Sequence, residues 1–327
     1  MKPSAILVFW IMPLIWCFTG TCLAAESKEE FTTWLKNLRQ EARSSGISQA
    51  TLDLALADIQ KPVPKVIARD RKQPEFTQTT KKYVADRANN KRIVGGRKMM
   101  KRYPTWLARV EGQYGVQRRF IVALWGIESN YGKHTGSYPV IQSLVTLALD
   151  HRRAEYFRRE LIEALHVLDE GQVPLRFFKG SWAGALGQCQ FMPSSFRNYA
   201  VNADGGRLDI WTSVPDVLAS TANYLARAGW KDDQTWGRPV KLPENFNYSL
   251  AGLDRRLPLS HWQSLGVRRS NGNALPGRNL PASLILPDGP GGPAFLVYDN
   301  FRTLLSWNRS TAFAIAVGTL SDRLDNS

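Results

Sequence analysis

The chain has 327 residues, enough for one large core or two to three smaller units. It carries 43 lysines and arginines against 28 aspartates and glutamates, and this net charge of +15 calls for an anionic partner: nucleic acid, anionic lipid or an acidic polymer. The four histidines (His134, His151, His166, His261) are scattered without metal-ligand spacing, which excludes the common zinc sites.

The opening stretch, MKPSAILVFWIMPLIWCFTGTCLAAES, has an early cation (Lys2), an apolar run from Ala5 to Phe18 and small residues ahead of Glu26. That is the layout of a secretory signal peptide over residues 1–25, with cleavage expected after Ala24 or Ala25. A membrane span needs about 20 apolar residues; this run is shorter and Pro13 interrupts it. Trp16 and Thr21 are poor neighbours for a lipidated Cys17 or Cys22, so no lipid anchor is expected. Removing the leader leaves Cys189 alone, so the mature chain has no internal disulfide and depends on core packing. Export also disfavours nucleic acid and favours an anionic polymer outside the cytoplasm.

Residues 27–60 alternate charged and apolar positions at helical spacing, and Pro62 with Pro64 ends this unit. The basic stretch RDRKQPEFTQTTKKYVADRANNKRIVGGRKMM reads as half loop, half helix. Pro104–Glu111 and Arg118–Glu128 read as helices joined by GQYGV. Asp150 is expected to cap a helix whose apolar stripe is Phe157, Leu161, Ala164, Leu165 and Leu168, ended by Gly171. A glycine-rich loop, KGSWAGALGQCQFMPSS, leads into a helix after Pro193, and Pro215–Ala228 forms another. Beyond residue 230 proline and glycine become frequent. There ASLILP and AFLVYDN flank DGPGG, which predicts a β-hairpin, and TAFAIAVGTL predicts a closing helix. The fold class is mostly α (α+β), with a minor β element in the C-terminal part.

Several chemistries drop out. GALGQCQ lacks the P-loop pattern, and QFMPSSF lacks the G-x-S-x-G elbow. WGIESNY, residues 125–131, remains. Glu128 follows the wholly apolar Phe120–Leu124, and its nearest acidic neighbours in sequence are Glu111 and Asp150. Desolvation there would raise the carboxyl pKa and keep a proton available for a glycosidic oxygen. On spacing alone, an ordinary helix-terminal glutamate is the commoner case.

Four motifs in order, ALWGIESNYG, RRAEYF, KGSWAGALGQCQFMPSSFRNYAV and ANYLARAGW, closely resemble the membrane-bound lytic transglycosylase B family of murein-cleaving enzymes. The resemblance begins near RKQPEFTQTTKKY and continues more loosely to YDNFRTLLSWNRSTAFAIAVGTL. It implies a lysozyme-like helical catalytic domain, related to goose-type lysozyme, that cleaves the MurNAc–GlcNAc bond of peptidoglycan without water. On this basis residues 26–114 form an N-terminal helical region, 115–230 the lysozyme-like core, and 231–327 a C-terminal region with the hairpin and closing helix.

The family's catalytic acid falls on Glu128. It would protonate the leaving oxygen and then, as glutamate, take the C6 hydroxyl proton of the same muramic acid, closing a 1,6-anhydro ring. A hydrolase would need a second carboxylate. Tyr83 matches a cleft tyrosine that contacts sugar, its alternative being a helix-surface or core aromatic. Gln190 matches an amide that lines the cleft beside the acid and can bond sugar hydroxyls or acetamido groups. Ser181 opens the same loop, and Asn223 and Tyr224 match the family's ANYLA segment, with core packing as the alternative for Tyr224. Arg152 and Arg153 match a pair proposed to meet peptide-stem carboxylates; a solvated basic face is their alternative.

The chain departs from the family in three places. Cys189 stands where proline or glycine is common. The segment NADGGRLDIWTSVPD, where some members hold calcium, is a residue short, so weak binding or none is expected from Asn202, Asp204 and Asp216. Of the C-terminal tyrosine cluster only Tyr298 is a candidate, with Arg302 replacing an aromatic, so sugar contacts from that end are not expected. No cofactor, no metal and no nucleic acid are expected, and the resemblance implies peptidoglycan glycan strands as partner. Proteins of cell-wall synthesis are candidate partners, and a periplasmic monomer is expected. A hydrolytic muramidase on the same fold and a non-catalytic peptidoglycan-binding scaffold are the alternatives.

Overall fold

A computed structural model describes residues 19–72 and 77–325. Residues 1–18, most of the expected leader, and residues 73–76 of the basic stretch lie outside it. The described chain is mostly helical. In order come α1 (Thr19–Ser44), α2 (Gln49–Leu56), α3 (Pro64–Asp70), α4 (Thr80–Arg87), α5 (Asn90–Arg102), α6 (Pro104–Tyr114) and α7 (Arg118–Ser129). Then follow α8 (Val140–Ala148), α9 (Ala154–Asp169), α10 (Pro193–Tyr199), α11 (Val214–Arg227), α12 (Leu259–Ser264), α13 (Asp299–Trp307) and α14 (Thr311–Asp325). No helix among the described residues is long and apolar enough to cross a membrane.

Local chemistry sets these boundaries. The Ser48, Thr79 and Asn89 side chains accept backbone N–H groups in the first turns of α2, α4 and α5. Pro64 and Pro104 occupy first turns, where a missing N–H costs nothing. The basic stretch is therefore more helical than its polarity suggests. Asp150 does not cap α9. It accepts the Arg152 N–H at 3.3 Å in a separate turn, and the helix starts at Ala154, after Arg153 leaves helical geometry at φ −140°. The cause is that both arginines turn toward Asp70 on α3.

Helix α7 is the axis of the fold. Phe120 through Leu124 are 0% exposed, and α5, α6, α11 and α14 pack around them. A helix apolar on every side has to be enclosed, and each large side chain so buried contributes about 1.5–3 kcal/mol. Short strands β1 (Tyr138–Pro139) and β2 (Lys179–Gly180) pair antiparallel and hold the glycine-rich loop beside this axis.

The C-terminal part carries more β structure than the expected hairpin. The hairpin is β6 (Pro281–Ile285) with β7 (Ala294–Val297), in register Leu284↔Leu296. It is extended by β3 (Gly237–Lys241), β4 (Leu257–Pro258) and β5 (Arg268–Arg269) into an antiparallel sheet ordered β4-β6-β7-β3-β5. Phe246, Trp262, Leu284, Leu296 and Tyr298 form a second, smaller core there. From that sheet the chain returns through α13 to α14, which packs on α7.

Candidate active site

The last turn of α7 delivers Glu128 to a cleft of about 1430 Å³. The chain reverses immediately afterwards. Asn130 and Tyr131 take left-handed φ values of 51° and 60°, uncommon for residues with a side chain. Their N–H groups return to the Gly126 and Trp125 carbonyls. Tyr131 folds back over its own helix, so its hydroxyl donates to the Arg92 carbonyl at 2.6 Å. Its ring takes the space a Cβ would need at Gly126, where the hydroxyl would lie 2.6 Å away. Arg92 in turn donates to the Gly126 carbonyl at 3.0 Å. The helix end that presents the acid is thus tied from two sides, and the strain of two left-handed residues is held there.

Glu128 is half-buried, and its Oε1 accepts the indole N–H of Trp307 at 2.7 Å. Trp307, the last residue of α13, lies 4.7 Å from the Tyr224 ring and 5.1 Å from Phe191. Tyr224 donates its hydroxyl to the Ser306 carbonyl at 2.7 Å and is pushed up to about 12, mainly by burial, so it stays a neutral donor. An aromatic wall therefore stands against the carboxyl. Sequence reasoning looked to Tyr298 for this end. Tyr298 is instead buried in the second core and accepts from Arg238 at 2.7 Å, while Trp307 makes the contact.

The glycine-rich loop supplies the facing side. Ser181 Oγ accepts the Ala183 and Ala185 N–H groups at 3.2 and 3.1 Å, which curls the loop tightly. Gln190 sits at φ 51° and its amide nitrogen donates to the Gly187 and Thr135 carbonyls at 2.8 and 3.2 Å. With its donors spent inward, the amide oxygen is what the side chain offers the cleft. Cys189 is buried, with its thiol against the Val217 carbonyl and pushed up to about 12 by desolvation, so it is an inert packing residue in this loop.

Of the residues singled out in the sequence, Glu128, Tyr83, Ser181, Gln190, Tyr224 and Arg153 line the same cleft. Tyr83 does so as a buried ring, with the Arg87 guanidinium 5.2 Å from its centre. Asn223 and Arg152 are not among the lining residues. Asn223 donates to the Tyr199 carbonyl at 2.9 Å, and Arg152 is bound to Asp70. The segment compared with a calcium loop closes on itself. Asp216 accepts the Ala203 and Asp209 N–H groups at 2.7 and 2.8 Å, and Asp204 accepts from Gly206 and Ser213.

A second carboxylate, Glu160 of α9, also lines the cleft. It is 5% exposed, and its two oxygens accept the Ser194 N–H at 3.0 Å and hydroxyl at 2.7 Å. Burial raises its pKa, and the two Ser194 bonds oppose that rise. Glu160 had a signal in the sequence: it lies three residues after Phe157 and next to Leu161, on the apolar face of α9.

Helices wrapped around a buried axis, with an acid at its end opening into a sugar-sized cleft, define a lysozyme-like enzyme for glycosidic bonds. The profile described as "Transglycosylase SLT domain" matches residues 30–322. The membrane-bound lytic murein transglycosylase B of Escherichia coli (strain K12) is 34% identical over 283 residues, 82% of this chain and 72% of that one. SltB3 from Pseudomonas aeruginosa, solved in complex with NAG-anhNAM-pentapeptide, is 46% identical with a TM-score of 0.84, covering 91% of this chain and 80% of that one. Its complex with NAG-NAM-pentapeptide superposes with a TM-score of 0.85, at the same identity and coverage. The chain belongs to the SLT transglycosylase family, and it is an enzyme, a peptidoglycan lytic transglycosylase.

Proposed function

We propose that Glu128 is the acid and then the base of this reaction, acting on peptidoglycan strands at the MurNAc–GlcNAc bond. Protonated Glu128 gives its proton to the leaving glycosidic oxygen as the C1–O bond breaks. The resulting carboxylate then takes the C6 hydroxyl proton while that oxygen closes on C1. The 1,6-anhydro end forms and Glu128 regains its proton. Trp307 can only donate, so it fixes Glu128 Oε1 as an acceptor. Gln190 and Ser181 would orient the sugar from the loop side, and Tyr83, Tyr224 and Arg153 would complete the cleft.

The observation that favours this over hydrolysis is the state of Glu160. A hydrolase needs a second carboxylate to activate water or to form a covalent adduct. Glu160 is 5% exposed and both its oxygens accept from Ser194, which supports a packing role at the start of α10 rather than activation of water. The leader read over residues 1–25 would deliver the enzyme to the periplasm, where its substrate lies. Digestion of sacculi in heavy-oxygen water separates the readings. Anhydro ends without label support transglycosylation; reducing ends carrying label would establish a muramidase.

A further inference from the structure

Arg152 and Arg153, the pair that the resemblance assigns to peptide carboxylates, each give a terminal guanidinium nitrogen to Asp70. Asp70 is 3% exposed and receives both guanidinium groups, Arg153 on Oδ1 and Arg152 on Oδ2. Arg152 also donates to the Asp70 carbonyl at 3.1 Å. Withdrawing either arginine toward a ligand would leave a buried carboxylate short of its partner, which is costly. This joint ties the end of α3 to the start of α9.

The same joint fixes the rotation of α3. Val66 and Asp70, four residues apart, face inward at 0% and 3% exposure. The neighbouring stripe, about 100° round the helix, carries Lys65 and Arg69, and Lys72 follows just beyond the helix. All three are exposed and line the cleft. None of them makes a salt bridge among the described residues, whereas the neighbouring Arg71 meets Asp150 at 3.9 Å. Arg69 lies 5.9 Å over the Tyr138 ring, which holds it on this wall.

We propose that this chain recognises the carboxylates of a glycan-linked peptide through Lys65, Arg69 and Lys72, whose position the Arg152–Asp70–Arg153 joint sets. The inference rests on the reading of Glu128 and the cleft given above. Two lysines and an arginine on an exposed stripe suit a flexible anionic chain. Lysine is a mobile point charge that needs no fixed bidentate geometry.

The test compares kcat/KM on peptide-bearing glycan strands with kcat/KM on the same strands stripped of peptide by an amidase. Wild type should prefer the peptide-bearing strands, and added salt should reduce that preference. In the Lys65→Ala/Arg69→Ala/Lys72→Ala variant the preference ratio should fall about tenfold, as expected for three partly exposed ion pairs. A charge-matched control, Lys36→Ala/Lys98→Ala/Lys101→Ala, removes three exposed cations away from the cleft lining and should keep the wild-type ratio. Thermal melts of both variants should match wild type, since every altered side chain is exposed. An unchanged ratio in the α3 variant, an equal fall in the control, or no preference in wild type would overturn the proposal. Failure of wild type to release anhydro ends from either substrate would instead remove the reading beneath it.

Discussion

Trp307 and Glu128 are 179 positions apart, yet a 2.7 Å bond joins them at the centre of the cleft. Trp307→Phe keeps the ring against Tyr224 and Phe191 and removes only the donor. A hydrogen bond to a charged group is worth about 1.5–3 kcal/mol, so kcat should fall about 10- to 100-fold in steady-state assays. An unchanged kcat would show the contact to be incidental. Glu160 gives a second test at this scale. Its pKa is raised in the folded protein, so the folded state holds the proton more tightly than the unfolded state does. Stability is then greatest below the unfolded value and is lost as pH rises through the folded one. Melts compared from about pH 4 to about pH 7 should show wild type losing stability relative to Glu160→Gln; a relative gain would reverse the assignment. The placement of Glu128, Ser181 and Gln190 on one cleft was legible because each sits in a contiguous motif. Trp307 was not, since no local pattern carries a contact across such a separation. Glu160 could have been found as a carboxylate on an apolar stripe.

At the scale of elements, the end of α7 is shaped by packing that begins at Gly126. An added methyl there would meet the Tyr131 hydroxyl at 2.6 Å and the adjoining ring carbon at 2.7 Å. Gly126→Ala should therefore cost about 1–3 kcal/mol in denaturant titrations despite the better helix propensity of alanine. Activity should fall with it, because the displaced tyrosine anchors the turn behind Glu128. A neutral or stabilised variant would mean that Tyr131 moves aside freely. Long periodic segments such as α7, α11 and α14 were readable from spacing, as was the β6–β7 hairpin with its glycine-rich turn. Strands β4 and β5, two residues each, are too short to show alternation. The start of α9 was misplaced because Asp150 has the chemistry of a cap, while a distant ion pair at Asp70 decides where the helix begins.

For the molecule as a whole, the chain folds so that its final helices return to its middle. α14 packs along α7, and α13 ends on the acid that α7 carries. The candidate site therefore draws on residues from Lys65 to Phe313, although most of its recognisable motifs lie between residues 120 and 230. The mostly α class with a small β part followed from periodicity and composition. Closure by the C-terminal end did not, because it is a property of tertiary packing. The strong positive charge has a place in the same picture: cations line the cleft beside Glu128 and Glu160, suited to an anionic wall polymer.

The central claim is that a single carboxylate performs both proton transfers. The most direct measurement is mass spectrometry of sacculi digested by wild type and by Glu128→Gln, with both proteins shown to be folded. Wild type should release fragments with 1,6-anhydro ends, and Glu128→Gln should release none above background while still binding sacculi. Anhydro fragments from the glutamine variant at a rate near wild type would contradict the account.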